Sequence, residues 1–194
     1  MRPVILASTS PYRAQALHRL GLHFRQEAPL CDEEALKAHR NDPQDLASYL
    51  AQEKARSVAR EYPQAIVIGS DQLAFANGVI LGKPGSAQAA CEQLQALSGK
   101  RHCLLTALHV CSPEGEQQHL DCTTLHMRHL DTAAIERYVR HDNPIDCAGA
   151  YKIEAAGISL FSSIESQDHS AITGLPMIAL VSMLMHLGIS IPST

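Results

Sequence analysis

No two of the six cysteines, Cys31, Cys91, Cys103, Cys111, Cys122 and Cys147, stand at CxxC spacing. Their scatter speaks against a disulfide scaffold, and reduced core thiols are expected instead. The chain also lacks repeats, low-complexity segments and an obvious linker. Its N-terminus, MRPVILASTS, has too short an apolar run for a signal peptide. The longest apolar stretch, Leu175 to Leu187, is short for a membrane span and is interrupted by Ser182 and His186. A soluble, cytoplasmic protein without a membrane partner is expected. Nor is there an excess of basic charge: 16 Lys and Arg face 20 Asp and Glu, for a net charge of -4. That excludes a general nucleic-acid binder, which needs a basic face for the phosphate backbone. An anionic substrate would require a local pocket of positive charge.

What remains is ordinary globular composition, with 45% hydrophobic and 19% charged residues in 194. This suits a single domain, 1–194, with Pro29 to Tyr62 as a candidate smaller lobe. Pro3 to Ala7 reads as a buried strand. Ser10 caps a helix with Pro11 at its first position, and Gly21 closes it. Asp42 and Pro43 start a helix running to about Glu61. Ala65 to Gly69 is a second buried strand, and Asn77-Gly78 a hairpin turn. Ser86 caps a helix ended by Gly99. His102 to Cys111 and Gln117 to Met127 form a strand pair. Asp131 caps a helix to about His141. Short strands are predicted near Tyr151 and over Ile158 to Ile164, and a last helix begins near Gly174-Leu175-Pro176. The order predicts an α/β fold, a mixed central sheet flanked by helices, with two lobes and a cleft.

The stretch ILASTSPYR runs strand, hydroxyl-rich turn, helix. Free amides at a helix start attract anions. Ser8 and Ser10 can add hydroxyls, and Arg13, one turn in, can grip a phosphate with two parallel hydrogen bonds. The same pattern also suits a plain capped helix. Lys54 adds weight. It falls at i, i+4 spacing with Leu46, Leu50 and Val58, inside the apolar stripe of its helix. An inward ammonium needs an anion, either a carboxylate or a ligand phosphate; a snorkelling lysine is the alternative.

VIGSDQLAFANGVILGKP places an acid, an amide and a base around one hairpin. Asp71 ends a buried strand, where ligands of α/β sheets bind. Counting from the Asn77-Gly78 turn, Ala76 opposes Val79 and Gln72 opposes Lys83, so Gln72 and Lys83 share a face. A regular pleat points Asp71 the other way, and a bulge would return it. Asp71 and Glu33 can form a carboxylate pair for a divalent cation such as Mg²⁺, which would neutralise a polyphosphate and activate water. Asp71 can also serve as the general base. A turn cap at Asp71 and a solvated acidic run at Asp32-Glu33-Glu34 are the simpler alternatives.

LASTSPYR, LAQEKA, IGSDQ, GKP, LSGKRH, CAGAYKIE and GLP occur in an order that resembles the Maf family of nucleotide pyrophosphatases. The resemblance covers nearly the whole chain. It implies a fold related to inosine-triphosphate pyrophosphatases. It also implies hydrolysis of a nucleoside triphosphate to monophosphate and pyrophosphate with Mg²⁺ or Mn²⁺, a housecleaning role and a homodimer. By this likeness Ser8, Ser10, Arg13, Lys54 and Lys83 contact the substrate phosphates, Glu33 and Asp71 hold the metal, and Asp71 is the base. Lys100 and His102 belong to the pattern with no clear role. The set Tyr12, Gln72 and Glu154 resembles the branch acting on 7-methyl-GTP. Methylation at N7 makes the base cationic, which favours stacking on Tyr12 and charge complementarity with Glu154; Gln72 can read a remaining edge. The alternatives are a dTTP/UTP pyrophosphatase and a non-catalytic nucleotide-binding regulator of cell division. Ala107 and Ser166-Gln167-Asp168 depart from the pattern. His119 and His169 match nothing and are expected at the surface.

Overall fold

The computed structural model describes residues 2–37 and 40–192. Among the described residues, seven strands and six α-helices follow in the order β1 (Val4–Ala7), α1 (Pro11–Arg19), β2 (Arg25–Glu27), α2 (Glu33–Lys37), α3 (Pro43–Ala59), β3 (Ile66–Ala76), β4 (Val79–Leu81), α4 (Ala87–Leu97), β5 (Arg101–Ser112), β6 (Gly115–Met127), α5 (Thr132–Asp142), β7 (Phe161–Glu165) and α6 (Met177–His186). The strands form one mixed sheet in the order β2-β1-β3-β5-β6-β7, with β4 on β3. β1 pairs in parallel with β2 and β3, whereas β3–β4 and β6–β7 are antiparallel.

The chain divides into two compact units. The first comprises Met1–Gln72, Thr106–Asp121 and Asp168–Thr194, so Pro29 to Tyr62 falls within it. β1 and the first half of β3 are buried on both faces, which explains their near-continuous apolar runs. Leu6, Ile66 and Ile68 face one core with Leu17 of α1 and Leu180 and Leu184 of α6. Ile5 and Val67, alternate residues on the same strands, face the other with Ala55 and Val58 of α3. The second unit comprises Leu73–Leu105 and Cys122–Gln167.

Helix starts follow the capping residues. Ser10 accepts from Arg13 N, Asp42 from Gln44 N and Asp45 N, Ser86 from Ala89 N, and Asp131 from Ala134 N. Each satisfies amides that no helical carbonyl can reach. The hairpin has the predicted register, Ala76↔Val79, around Asn77 (φ 50) and Gly78 (φ 82). Pairing nevertheless stops at Ala74↔Leu81. The Gln72–Lys83 pair expected from the register is therefore not formed. The Gly82 carbonyl accepts instead from Gln93 Nε2 of α4 at 3.0 Å, and Pro84 follows.

Two further expectations change. Tyr151 is not in a strand: Gly149 (φ 79) and Ala150 (φ 61) turn the backbone through the left-handed region just before it. The region Ile158 to Ile164 is a 3₁₀ turn, Ala156–Leu160, before it becomes β7. β2 and α2 are short and carry no apolar period, so no pattern announced them.

Candidate active site

In the first unit, the Cα of Gly69 lies hard against α3. A Cβ there would stand 2.7 Å from Ala55 N and collide with the Ala51 carbonyl. Glycine at that position lets helix and strand touch backbone to backbone. The small side chains of Ala51 and Ala55, both 0% exposed, complete the fit. This contact brings Lys54 over Asp71, two residues beyond Gly69. The ammonium is 2.6 Å from Asp71 Oδ1 and 3.0 Å from Glu33 Oε1. Lys54 and Asp71 are each 6% exposed, so the lysine faces inward and its anion is a carboxylate pair.

Arg13 is half-buried on α1. Its Nε donates to the Gly174 carbonyl at 2.8 Å, and its Nη1 to Ser8 Oγ at 3.2 Å. Burial draws the guanidinium below its ordinary range, while the charges of Asp71 and Glu33 oppose the shift. Ser8 Oγ also accepts from Ser10 N at 3.2 Å. Gln26 Nε2, on β2, donates to the Ser8 carbonyl at 2.7 Å and steadies this turn.

Asp71 and Gln72 diverge. Asp71 turns to α3, while Gln72 Nε2 donates to Thr106 Oγ1 and to the carbonyls of Ala171 and Ile172 at 2.9 to 3.0 Å. The pleat is therefore followed at this point, and the Gln72 amide protons hold the segment before α6. Ser70 Oγ, fully buried, lies 2.7 Å from the Ala107 carbonyl and 2.8 Å from that of Gly174. Asp168 and Ser170 cap α6 from a distance, accepting from Ile178 N at 2.7 Å and Met177 N at 2.9 Å. Ser70, Gln26, Asp168 and Ser170 escaped sequence reasoning. The partners of Ser70 and Gln26 lie far along the chain, whereas Asp168 and Ser170 reach Ile178 N and Met177 N across a short intervening turn. Tyr12 sits exposed on the first turn of α1.

A divalent cation suits Glu33 and Asp71: both present hard carboxylate oxygens converging on one cationic centre, the Lys54 ammonium. One cluster of His, Cys and carboxylate donors exists among the described residues, His109, Cys111 and Glu116. It suits Mg²⁺ or Mn²⁺ poorly. Burial pushes the Cys111 thiol up to about 12, and Arg56 holds Glu116 through Nε and Nη2 at 2.8 to 3.2 Å.

In the second unit, Lys83 is exposed just beyond β4, and Glu154 is exposed in the segment before β7. Lys100 donates to the Ala96 carbonyl at 2.8 Å, a helix-closing contact. His102 is buried, and burial lowers its imidazole to about 4. The unfolded chain binds that proton near pH 6.5 and the folded one only near pH 4. Between those values the unfolded state carries more protons, so stability falls as pH falls. About 3 kcal/mol is expected to be lost across this window. Urea unfolding from pH 7 to 4 checks it: His102→Gln should flatten the slope, and an unchanged slope would refute the assignment. His119 and His169 are exposed, as expected.

A family model described as Maf-like protein matches residues 3–187. The chain belongs to the Maf family. Among its relatives, a 7-methyl-GTP pyrophosphatase of Pseudomonas syringae pv. tomato is 46% identical, covering 99% of this chain and all of the relative. A 7-methyl-GTP pyrophosphatase of Bdellovibrio bacteriovorus is 48% identical, over 94% of this chain and 96% of its own. A solved nucleoside-triphosphatase, a dITP/XTP pyrophosphatase from Mycobacterium abscessus, shares 14% identity with a TM-score of 0.42, covering 66% of this chain and 75% of that one. The Maf match spans both compact units. Among the described residues no helix is long and apolar enough to cross a membrane.

Proposed function

We propose that this Maf protein hydrolyses 7-methyl-GTP to 7-methyl-GMP and pyrophosphate. Buried Asp71, held 2.6 Å from the Lys54 ammonium beside Arg13, is the observation that carries the chemistry. The names of full-length relatives support the substrate. Water adds to the α-phosphorus, its proton passes to Asp71, and the bond to the β-phosphate oxygen breaks, releasing pyrophosphate. Ser8, Ser10, Arg13, Lys54 and Lys83 are the contacts proposed for the phosphates. Lys54 already faces Asp71 and Glu33, and Arg13 is held by the Gly174 carbonyl and Ser8 Oγ, so these two cations are pre-aimed rather than recruited on binding. Glu33 and Asp71 would hold Mg²⁺ or Mn²⁺, which supplies charge neutralisation of the triphosphate.

For the base, Glu154 is proposed to complement the positive ring and Tyr12 to stack on it. Gln72 is proposed to act through the segment it holds. We further propose that the protein works in the cytoplasm as a homodimer and binds no nucleic acid. Pyrophosphate release from a nucleotide panel with Mg²⁺ tests the activity. Preference for 7-methyl-GTP is expected, preference for dTTP or UTP would reverse the specificity, and no release from any nucleotide would refute the enzyme. Glu154→Gln is expected to lower kcat/KM about tenfold on 7-methyl-GTP, with a change of about twofold or less on UTP. Equal losses would end the charge argument.

A further inference from the structure

His102 and Tyr151 belong to family motifs, yet the proposed chemistry uses neither. Both are buried in the second unit. His102 Nε2 lies 2.9 Å from the Tyr151 hydroxyl. Phe161 meets the Tyr151 ring edge-on at 4.9 Å and the His102 ring at 5.8 Å. His102 Nδ1 is buried with no hydrogen-bond partner among the described residues. Phenylalanine would fill this apolar space and remove the unpaired nitrogen, but it would strip the buried Tyr151 hydroxyl of this partner. The imidazole is therefore kept for its one hydrogen bond, and its protonation is suppressed by burial.

That bond anchors an unusual segment. Gly149 and Ala150 both have positive φ, and Ala150 is fully buried in that conformation. A Cβ on Gly149 would stand 2.8 Å from Tyr151 Cε1. The Tyr138 hydroxyl, on α5, accepts from Lys152 N at 2.9 Å. Ala155 N and Gly157 N both donate to the Lys152 carbonyl, at 3.1 and 3.0 Å. Side chain at Gly157 is excluded because a Cβ would stand 2.7 Å from the Lys152 carbonyl carbon. Strained backbone persists where its surroundings over-determine it, and such places cluster at functional sites. Here two phenol hydroxyls, one meeting β5 and one from α5, fix consecutive residues. The turn closed on Lys152 carries Glu154, the one acidic residue between 148 and 157.

We propose that His102 and Tyr151 are positioning residues that fix the 148–157 segment and so set how well Glu154 distinguishes the base. This rests on the proposed role of Glu154. The tyrosine ring packs, while its hydroxyl positions. Tyr151→Phe keeps the ring and its contact with Phe161 and deletes only the hydroxyl.

Steady-state kinetics on 7-methyl-GTP and UTP, with hydrogen exchange at the Lys152, Ala155 and Gly157 amides, tests the proposal. Tyr151→Phe should lower kcat/KM on 7-methyl-GTP about tenfold, chiefly through KM, and change UTP about twofold at most. Exchange at those amides should rise. Combined with Glu154→Gln, it should add little further loss, because both act on one contact. His102→Gln, which retains a side-chain hydrogen-bonding group, should recover more selectivity than His102→Phe. Equal losses on both nucleotides, or additive losses in the double variant, would overturn the positioning role. A wild-type protein without pyrophosphate release, or one preferring UTP, would overturn the functional reading itself, and that is seen before any variant is measured.

Discussion

Asp71→Asn is expected to lower kcat on the preferred nucleotide by about 10²- to 10⁴-fold, the range for losing a general base. The substitution preserves shape, and an amide oxygen can still accept from the Lys54 ammonium. It cannot take the proton of an attacking water. Glu33 still faces Lys54 at 3.0 Å, so the buried ammonium keeps an anionic partner and the fold should survive. Initial rates of pyrophosphate release, with circular dichroism to confirm folding, check this. Activity within about threefold of wild type would refute Asp71 as the base.

Lys54→Ala is expected to destabilise the protein by about 3–5 kcal/mol, the scale for removing one partner of a buried ion pair. Lys54 stands in the apolar stripe of α3 with Leu46, Leu50 and Val58, none more than 3% exposed. Without its ammonium, Asp71 keeps a buried carboxylate and loses the 2.6 Å contact. The alkyl stem also leaves a gap against well-packed neighbours. Urea unfolding measures the loss. The Lys54→Ala, Asp71→Asn double variant should be more stable than the sum of the single losses implies, since it removes both members of the pair. Strict additivity would show that the contact contributes nothing to stability. Activity should fall as well, because the same ammonium is proposed to meet phosphate.

Much of the fold was legible locally. Ser10, Asp42, Ser86 and Asp131 each cap their helix because capping involves atoms within three residues. The i, i+4 stripe of α3 placed Lys54 on the apolar face, since helical geometry fixes which residues share a face, and left open whether its ammonium turned inward or snorkelled out. The Asn77-Gly78 turn fixed the hairpin register for the same reason, but not how far pairing ran. That depended on Gln93, from a different element, taking the Gly82 carbonyl. Near Tyr151, aromatic and β-branched residues suggested a strand, and the left-handed turn at Gly149 and Ala150 overrode that preference.

By itself the sequence determined the main helices and strands, the caps, the place of Lys54 in the apolar stripe and the family, because these follow from spacings of a few residues and from ordered motifs. Tertiary structure alone decided that Lys54 meets both Asp71 and Glu33, that Gln72 turns to Thr106 and Ala171, and that Arg13 and Ser70 share the Gly174 carbonyl. The physical reason is that these partners sit on separate elements. Their meeting depends on how closely the elements pack, as Gly69 against α3 shows, and no periodicity within one segment records that.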